Sequence, residues 1–543
     1  MTLGRALQAD VLVIGSGAGG APTAALAAEA GHDVVVLEEG PLVRQGEVVP
    51  FSLEQMGRQY RAGGVTPALG LSSITYTEGC CAGGGTEINS GLYRRPPAEV
   101  LTRWGLDDDA VTEIYAICDQ VEKELSVQTV PGAQLPASEA LRRGAADLHW
   151  RHDESPRWME YPAGPAAWQG RRRSMTETYL PRAEAAGARL LTGHRVDRLI
   201  FDASRAVRAE VTTADGTPTT IDFRDVFVCG GAIQTPALLQ RSGRRRGIGR
   251  TLAVHPTVKL TARFDDEVNV ADDVPVHQVK EFAPDLSFGG SASNPGLVAL
   301  ALSDAWDRFG PAVTDWRHLA IYYAAITSVG RGRVTAVPGL RDPVVTYRLT
   351  RRDKQLLGQG LARLGLLLLE AGATEVYPAY RGAPVVRRPA DLATVRATFS
   401  AGRASVMTVH LCSTVPFGDN DTAPAHPSGL LKATTNVWVN DASLLPDAPG
   451  VNPQASVMAV AIRNVRQYLE ARRRRLAPTA ADRSRRRTPP SSPAPAAGSV
   501  EPCCTDSSPT VDRFAPSSRP PTVRPTCPPG WCRSSATSTG PTA

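Results

Sequence analysis

The feature that most constrains this chain is a glycine-rich turn between an apolar strand and a helix near the N-terminus. Residues 10–14 (DVLVI) predict a buried parallel strand, and residues 15–20 (GSGAGG) follow it directly. Glycines at such a turn let the backbone approach a pyrophosphate at the positive end of the next helix. Glu38, which closes a second predicted strand over 33–37, is placed to hydrogen-bond both hydroxyls of a ribose. The segment therefore predicts a dinucleotide-binding strand-helix-strand unit.

The periodicity of apolar residues predicts an α/β chain with more than one hydrophobic core. A chain of 543 residues exceeds what a single core usually organises. Helices are predicted over 21–30, 107–125 and 356–371, the last ending before a glycine. Runs rich in β-branched and apolar residues at 297–302, 318–326 and 344–347 predict strands of an antiparallel sheet.

Composition and charge exclude several classes of protein. Much of the excess in the net charge of +6 comes from arginine runs at 472–475 and 483–487, after the apparent fold and without the pattern of a nucleic-acid reader. No nucleic-acid partner is predicted. The cysteines lack the paired spacing of a zinc site, so no metal is predicted. We find neither a secretory signal nor an apolar run of about 20 residues, which predicts a cytoplasmic protein without a transmembrane segment.

The C-terminal segment differs in character from the rest of the chain. After Leu476 the sequence contains no Ile, Leu, Met or Tyr and is dominated by Pro, Ser, Thr, Ala and Arg. Such a segment cannot bury a core, so residues 476–543 are predicted to be a disordered tail.

Four later segments resemble the flavin-contacting signatures of the glucose-methanol-choline (GMC) flavoenzyme family. They are residues 79–91 (GCCAGGGTEINSG), 194–196 (HRV), 227–243 (FVCGGAIQTPALLQRSG) and 436–453, which contains NVWVNDASLLP and GVNP. With the N-terminal turn, the resemblance extends from Asp10 to about Leu469. It implies a doubly wound, Rossmann-like FAD-binding domain (1–100, 188–256 and 400–470) and an inserted α+β substrate domain on an antiparallel sheet (101–187 and 257–399).

The same resemblance implies which residues bind the cofactor. The residues matching the family's FAD-binding positions are Gly15, Ser16, Gly17, Gly20, Glu38, Gly84, Gly85, Asn89, Val196, Gly231, Asp441, Ala442, Asn452 and Pro453. Some family members attach the flavin covalently through a histidine near the second glycine cluster. Because no histidine lies between His32 and His149, noncovalent FAD is expected.

In this family a histidine and a second histidine or an asparagine lie on the substrate side of the flavin, and His410 and Asn452 match those positions. An imidazole can accept the hydroxyl proton while hydride leaves the carbinol carbon, and an amide can orient the hydroxyl. The GVNP sequence and residues 172–180 resemble the branch that includes cholesterol oxidases and long-chain alcohol oxidases. The resemblance thus implies FAD-dependent oxidation of the CH–OH group of a small-molecule alcohol, with oxygen or another electron acceptor.

Two other functions are compatible with parts of the pattern. The same fold serves a flavin-containing lyase or a redox-silent flavin-binding protein, since fold does not dictate turnover. A nicotinamide reductase requires a second dinucleotide fingerprint, which the sequence lacks. The motifs leave open which alcohol is used and whether the protein is an oxidase or a dehydrogenase.

Overall fold

A computed structural model describes residues 7–132, 135–163, 170–270 and 274–476 of the chain. The predicted tail, residues 476–543, lies outside the described residues apart from its first position. Within those ranges, no helix is both long enough and apolar enough to cross a membrane.

The described helices and strands alternate along the chain. The α-helices are α1 Gly20–Glu29, α2 Leu53–Gln59, α3 Gly85–Ile88, α4 Ala98–Arg103, α5 Asp108–Glu124, α6 Pro136–Asp147, α7 Tyr179–Ala185, α8 Gly231–Arg241, α9 Pro295–Leu302, α10 Trp306–Phe309, α11 Arg351–Glu370, α12 Leu392–Thr398 and α13 Gln454–Leu476. Short 3₁₀ helices span Arg61–Gly64, Met175–Glu177, Ser303–Ala305, Gly310–His318, Pro389–Asp391, Ala401–Arg403 and Ala442–Leu444.

The strands are β1 Leu7–Ile14, β2 Val34–Leu37, β3 Thr66–Ala68, β4 Ile74–Tyr76, β5 Val127–Gln128, β6 His152–Glu154, β7 Arg157–Glu160, β8 Arg171–Arg172, β9 Arg189–Leu191, β10 His194–Asp202, β11 Arg205–Thr213, β12 Pro218–Val228, β13 Ala253–Val254, β14 Thr257–Arg263, β15 His277–Val279, β16 Leu286–Gly290, β17 Leu319–Ile326, β18 Arg331–Thr335, β19 Val344–Arg348, β20 Glu375–Pro378, β21 Val406–Thr408, β22 Leu411–Cys412 and β23 Val437–Val439.

The first sheet has a parallel centre. Strand β1 lies between β12 and β2 and pairs parallel with both, while β9 extends the sheet beyond β2 and β23 pairs parallel with β12. Strands β10, β11 and β12 form an antiparallel meander at the other side. Helix α1 connects β1 to β2, so the predicted strand-helix-strand unit is confirmed. This is the doubly wound, Rossmann-like half of an α/β fold.

The second sheet is mostly antiparallel and follows the order β3-β4-β21-β14-β17-β16-β15-β6, with β20 also paired to β14. The strand predicted at 318–326 is β17, at the middle of this sheet. The strand predicted at 344–347 is β19, which pairs with β18 in a separate two-stranded sheet. The predicted antiparallel sheet is therefore confirmed, and helix α11 packs against it.

The strand predicted at 297–302 is wrong, because these residues form helix α9. Pro295 occupies the first turn, where its missing N–H costs nothing, and the Asn294 side chain accepts a hydrogen bond from the Leu297 N–H at 2.9 Å. The apolar run itself does not distinguish a strand from a buried helix. The capping residues Asn294 and Pro295 therefore favour a helix over a strand.

The other helix predictions are confirmed with shifted ends. Helix α5 begins after Asp107, whose side chain accepts from the Ala110 N–H at 2.9 Å. Helix α11 begins five residues earlier than predicted, because Thr350 and Asp353 form a capping box. It ends before Gly372, which adopts a φ of +89°.

Two hydrophobic clusters stabilise the chain. The first surrounds β1, β2 and β12 and includes α1, α5 and α13, and the second surrounds β14, β17 and α11. Helix α5 thus packs with the nucleotide-binding sheet, and β4 packs with the second cluster. The division into domains at residues 100, 187, 256 and 399 remains a prediction.

Candidate active site

A cavity of about 540 Å³ lies at the carboxyl ends of the parallel strands. Strands β1, β2 and β12 all run in the same direction, so their carboxyl ends meet at one edge of the sheet. Gly15, Glu38 and Gly230 follow these strands and line the cavity. The position is the one where open α/β sheets bind their ligands. We refer to this space as the central cavity.

The N-terminal turn requires glycine for two different reasons. Gly15 adopts a φ of +96°, and a Cβ there would lie 2.4 Å from the Cys229 carbonyl oxygen. A Cβ added at Gly17 would have no atom closer than 3.9 Å. Gly17 lies next to Gly84 of the second glycine cluster, and both line the cavity. A side chain at Gly17 would therefore take up cavity space rather than strain the fold.

Gly20 does not line the central cavity, although it was predicted to bind the cofactor. A Cβ at this position would lie 1.9 Å from the Gly15 carbonyl oxygen and 3.2 Å from the Cys229 Cβ. The missing side chain lets α1 pack closely against the turn and strand β12.

Glu38 is buried and its carboxylate connects the two glycine-rich segments. Its Oε2 accepts from the Ser16 hydroxyl at 2.7 Å and the Ser16 N–H at 3.1 Å, and its Oε1 accepts from the Gly40 N–H at 2.9 Å. Ser16 Oγ in turn accepts from the Gly83 N–H at 3.0 Å. Burial raises the pKa of Glu38 against these hydrogen bonds. Each carboxylate oxygen retains acceptor capacity for a ribose hydroxyl.

Most of the remaining predicted residues converge on the same cavity. Those that line it are Ser16, Gly17, Gly84, Gly85, Asn89, Val196, Gly231, Asp441, Ala442, Asn452 and Pro453. The Asp441 carboxylate is hydrogen-bonded within the protein. It accepts from the Gly231 N–H at 2.7 Å, the Ser443 N–H at 2.8 Å and the Thr235 hydroxyl at 2.5 Å. Its carboxylate therefore fixes the start of α8 beside the cavity.

Asn89 ties the second glycine cluster to the C-terminal block. Its Nδ2 donates to Gln454 Oε1 at 2.7 Å, and its Oδ1 accepts from the Gly91 N–H and from Arg172 Nη1, both at 2.8 Å. Arg172 thereby joins the segment that resembles the long-chain alcohol branch to the cavity wall. The interaction was not predicted from sequence.

These features fit a bound FAD. Cβ atoms added at Gly85 and Gly231 would meet nothing within 4 Å, so the backbone there is open to the cavity. Glu38 would supply the ribose acceptor, and the start of α1 would supply backbone N–H groups for a pyrophosphate. Bound FAD would thus be held by the glycine turns, Glu38 and the start of α8.

Charged residues form ion pairs at the rim of the central cavity near Glu38. Glu39 accepts from Arg61 at 2.6 Å and from Arg341 at 2.8 Å, and Asp342 lies 3.2 Å from Arg61. Burial alone would raise the pKa of Glu39, but its hydrogen bonds with the two arginines hold it at about 2. Because Arg341 and Asp342 belong to the loop between β18 and β19, these ion pairs fasten that loop to the end of β2. We call residues 336–343 the strap.

The predicted catalytic pair meets inside the central cavity. His410 Nε2 and Asn452 Nδ2 are 3.5 Å apart, and both residues line the cavity together with Gly15 and Glu38. His410 follows strand β21, and Asn452 precedes helix α13. The two predicted residues are therefore brought together, although 42 positions separate them in the sequence.

A second histidine, not predicted from sequence, completes the cluster. His255 Nδ1 lies 3.0 Å from His410 Nδ1, and the two rings meet edge to face. The Gly450 N–H donates to His255 Nε2 at 3.1 Å. Because that backbone group can only donate, a neutral His255 carries its proton on Nδ1 and donates it to His410. His410 then carries its own proton on Nε2, facing Asn452.

Both histidines are held neutral at physiological pH. Burial, together with the positive charge of Lys280, lowers the pKa of His410 to about 4. Burial also lowers the pKa of His255 well below its usual value, and the neighbouring His410 adds to the effect. No group of three or more His, Cys, Asp or Glu side chains within the described ranges has a metal-binding arrangement.

Comparison with known proteins agrees with this geometry. The GMC oxidoreductase family model matches residues 56–257 and 328–461, and an FAD-binding domain model matches residues 10–48. An uncharacterised GMC-type oxidoreductase of Sinorhizobium fredii is 36% identical over 491 residues, which cover 88% of this chain and 97% of the relative. A long-chain-alcohol oxidase of Arabidopsis thaliana is 25% identical over 84% of this chain and 67% of its own length.

Among solved structures, a pyridoxine 4-oxidase from Mesorbium loti has the same fold, with a TM-score of 0.64 and 19% identity over 85% of this chain and 99% of that one. The matched GMC segments contain Asn89, Gly231, His410 and Asn452, and the matched FAD-binding segment contains the glycine turn and Glu38. The chain therefore belongs to the GMC oxidoreductase family and is an FAD-dependent oxidoreductase.

Proposed function

We propose that this protein oxidises the CH–OH group of a small-molecule alcohol, with His410 as the acid-base residue and Asn452 orienting the hydroxyl. The observation that carries the proposal is the contact of His410 with Asn452 in the cavity that Gly15 and Glu38 also line. Bound FAD supplies the acceptor for the hydride that leaves the carbinol carbon. Relatives named as a long-chain-alcohol oxidase and an oxygen-dependent choline dehydrogenase support this assignment.

Through its contact with His255, the neutral His410 ring has two tautomers that matter for the reaction. With its proton on Nε2, His410 donates a hydrogen bond to an oxygen in the cavity. To accept the hydroxyl proton at Nε2, the ring must carry its own proton on Nδ1, where its partner is His255 Nδ1. The Gly450 N–H favours the first state, so proton transfer requires a shift within the pair. The acid-base group is therefore His410 together with His255.

Asn452 suits both states of the pair. A half-turn about its Cβ–Cγ bond presents either Oδ1 or Nδ2 to His410 Nε2, and the other atom remains available to an oxygen of the alcohol. The amide holds no proton that it can lose, so its contribution is orientation of the carbinol carbon. Pro453, which follows Asn452, and the start of α13 fix its position in the chain.

The electron acceptor is oxygen or another small molecule. Relatives with stated activities include both oxidases and an oxygen-dependent choline dehydrogenase. Re-oxidation assays with oxygen and with an artificial acceptor would separate the two classes for this chain.

The test of the proposal is anaerobic reduction of the FAD-loaded protein by a panel of alcohols, followed as loss of flavin absorbance. We expect His410→Ala to slow the limiting rate by about 100-fold or more, the usual size of a general acid-base contribution. His426→Ala is the matched control, because His426 is exposed on a loop and should leave the rate unchanged. Equal rates in His410→Ala and the control would contradict the acid-base role. Failure of every alcohol to reduce the flavin would favour a lyase or a redox-silent protein.

A further inference from the structure

One face of the second sheet forms a polar floor of the central cavity. Along β14 the even positions Val258 and Leu260 face the second hydrophobic cluster, whereas Thr257 and Lys259 line the cavity. Strand β17 repeats the pattern, with Tyr323 and Ala325 on the cavity side. A strand alternates its side chains between two faces, so these residues share one surface.

The register shows how this surface is arranged. Lys259 pairs with Tyr323 across β14 and β17, and Ser287 of β16 pairs with Ala325. Continuing the pairing of Val279 with Phe288 places Lys280 opposite Ser287. The middle of the floor thus carries Ser287 and Ala325 in one row and Tyr323 in the next, with a lysine at each side. Two strands lie between β14 and β15, and the two lysines are offset by two residues along the strands, so their backbones are about 16 Å apart.

Neither lysine amine forms an ion pair within the described ranges, although the charge of Asp153, which pairs with Arg94, acts on Lys280. Within the described ranges, neither Nζ makes a hydrogen bond or an ion pair, although both side chains are largely buried and line the cavity. The neighbouring Arg94, by contrast, is paired with Asp153 and Gln278. An ammonium group away from bulk water is costly without a counter-charge.

The carboxylates of the cavity are already committed elsewhere. Glu38 binds Ser16 and Gly40, Glu39 and Asp342 bind arginines, and Asp441 binds Thr235 and Ser443. Glu78 lies 3.8 Å from Arg61. The cavity therefore carries unmatched positive charge at the polar floor.

The amines remain charged at neutral pH and one of them lies near the reacting group. Burial lowers the pKa of Lys259 and of Lys280 to about 8, which leaves both mostly protonated at pH 7. The charge of Lys280 in turn lowers the pKa values of His255 and His410. Lys280 thus acts on the same histidines that the proposed function uses.

We propose that the alcohol oxidised at His410 also carries an anionic group, a carboxylate or a phosphate, which Lys280 and Lys259 bind on the polar floor. The proposal rests on the proposed function and adds the substrate class to it. The hydroxyl lies at His410 and Asn452, and the anion lies over Ser287 and Ala325. A purely aliphatic chain would leave both ammonium groups unpaired, which disfavours a long-chain alcohol as the substrate of this protein.

The test compares matched alcohols with the FAD-loaded full chain under anaerobic conditions. The pairs are 6-hydroxyhexanoate with 1,6-hexanediol, and glycerol 3-phosphate with glycerol, so that carboxylate and phosphate are distinguished. We expect at least one acid to show an apparent Kd about tenfold or more below that of its neutral partner, the size of a charge-assisted hydrogen bond. Lys280→Met and Lys259→Met should remove most of that advantage, so that each acid no longer binds more tightly than its neutral partner in the same variant. Lys123→Met, on the exposed face of α5, is the control.

The outcomes separate this proposal from the redox function. Binding is also measured without turnover, as the change in the flavin absorption spectrum on adding each compound. If the acids bind in a lysine-dependent manner and nothing reduces the flavin, the anion site is supported and the redox function fails. If the neutral alcohols bind and react as well as the acids, or if no acid binds, the anion site is overturned. Loss of FAD from the lysine variants would assign the amines to the cofactor and would likewise overturn it.

Discussion

At the scale of single residues, the site depends on contacts between positions that are distant in the sequence. His255 and His410 are 155 positions apart, and their contact arises because β13 pairs with β22 and β14 pairs with β21. Gly450 then fixes the tautomer of the pair through a backbone hydrogen bond. A single loop position therefore influences which nitrogen of His410 faces the substrate.

The glycines of the N-terminal turn allow a prediction that separates folding from cofactor binding. Gly15→Ala places a Cβ 2.4 Å from a backbone oxygen at a φ of +96°, so we expect little soluble protein. Gly17→Ala meets no atom within 3.5 Å, so it should fold but bind FAD at least about tenfold more weakly, because the Cβ enters the pyrophosphate site. Circular dichroism and FAD titration measure the two effects. Normal FAD affinity in Gly17→Ala would contradict the assigned position of the pyrophosphate.

The residues predicted from longer sequence patterns lie together in the structure, and their roles remain predictions. His410, Asn452 and Glu38 each belong to a recognisable segment, and the structure brings all three to one cavity. His255 was missed because its partner lies on another strand. The polar alternation His255, Thr257, Lys259 within an apolar strand was the available signal. Gly20 shares the glycine spacing of the turn but does not line the cavity, and a side chain there would meet the Gly15 backbone.

At the scale of elements, end signals decided what apolar periodicity left open. Helix α9 was predicted as a strand, although Asn294 and Pro295 form a recognisable start. The early start of α11 follows from Thr350 and Asp353, which have the spacing of a capping box. The apolar pattern of the interior residues predicts that an element exists. The capping residues indicate its type and where it begins and ends.

The capping box of α11 gives a prediction for an element. Asp353 is fully buried and accepts from the Val329 N–H at 3.1 Å as well as from Thr350. Thr350→Ala should lower the free energy of unfolding by about 1 kcal/mol. Asp353→Ala should cost more, roughly 1 to 3 kcal/mol, because it also leaves buried N–H groups unpaired. Denaturant unfolding of the two variants tests the order, and a larger loss in Thr350→Ala would contradict it.

At the scale of the whole molecule, the order of the strands could not be read from the sequence. Strand β21 joins the second sheet only after the chain has passed through α11, and β23 then returns to the first sheet. The segments that line the central cavity come from both sheets. Their approach depends on long-range pairing, which local periodicity does not report. The predicted fold class required the family resemblance for this reason.

The neutral histidines predict how the stability of the molecule depends on pH. His410 has a pKa of about 4 in the folded chain and about 6.5 when unfolded, so the unfolded chain binds more protons between these values. The contribution of His410 to the free energy of unfolding is therefore complete above pH 6.5. It is lost as the pH falls towards 4, by up to about 3 kcal/mol. His410→Gln should show a shallower decline in denaturant midpoint between pH 7 and pH 4. An identical slope in both proteins would show that His410 does not titrate this way.

Ion pairs hold the strap at the rim of the central cavity. Arg341 pairs with Glu39, one position beyond Glu38 and more than 300 positions away in the sequence. Opening the strap would therefore require breaking both the Arg341–Glu39 and the Asp342–Arg61 ion pairs.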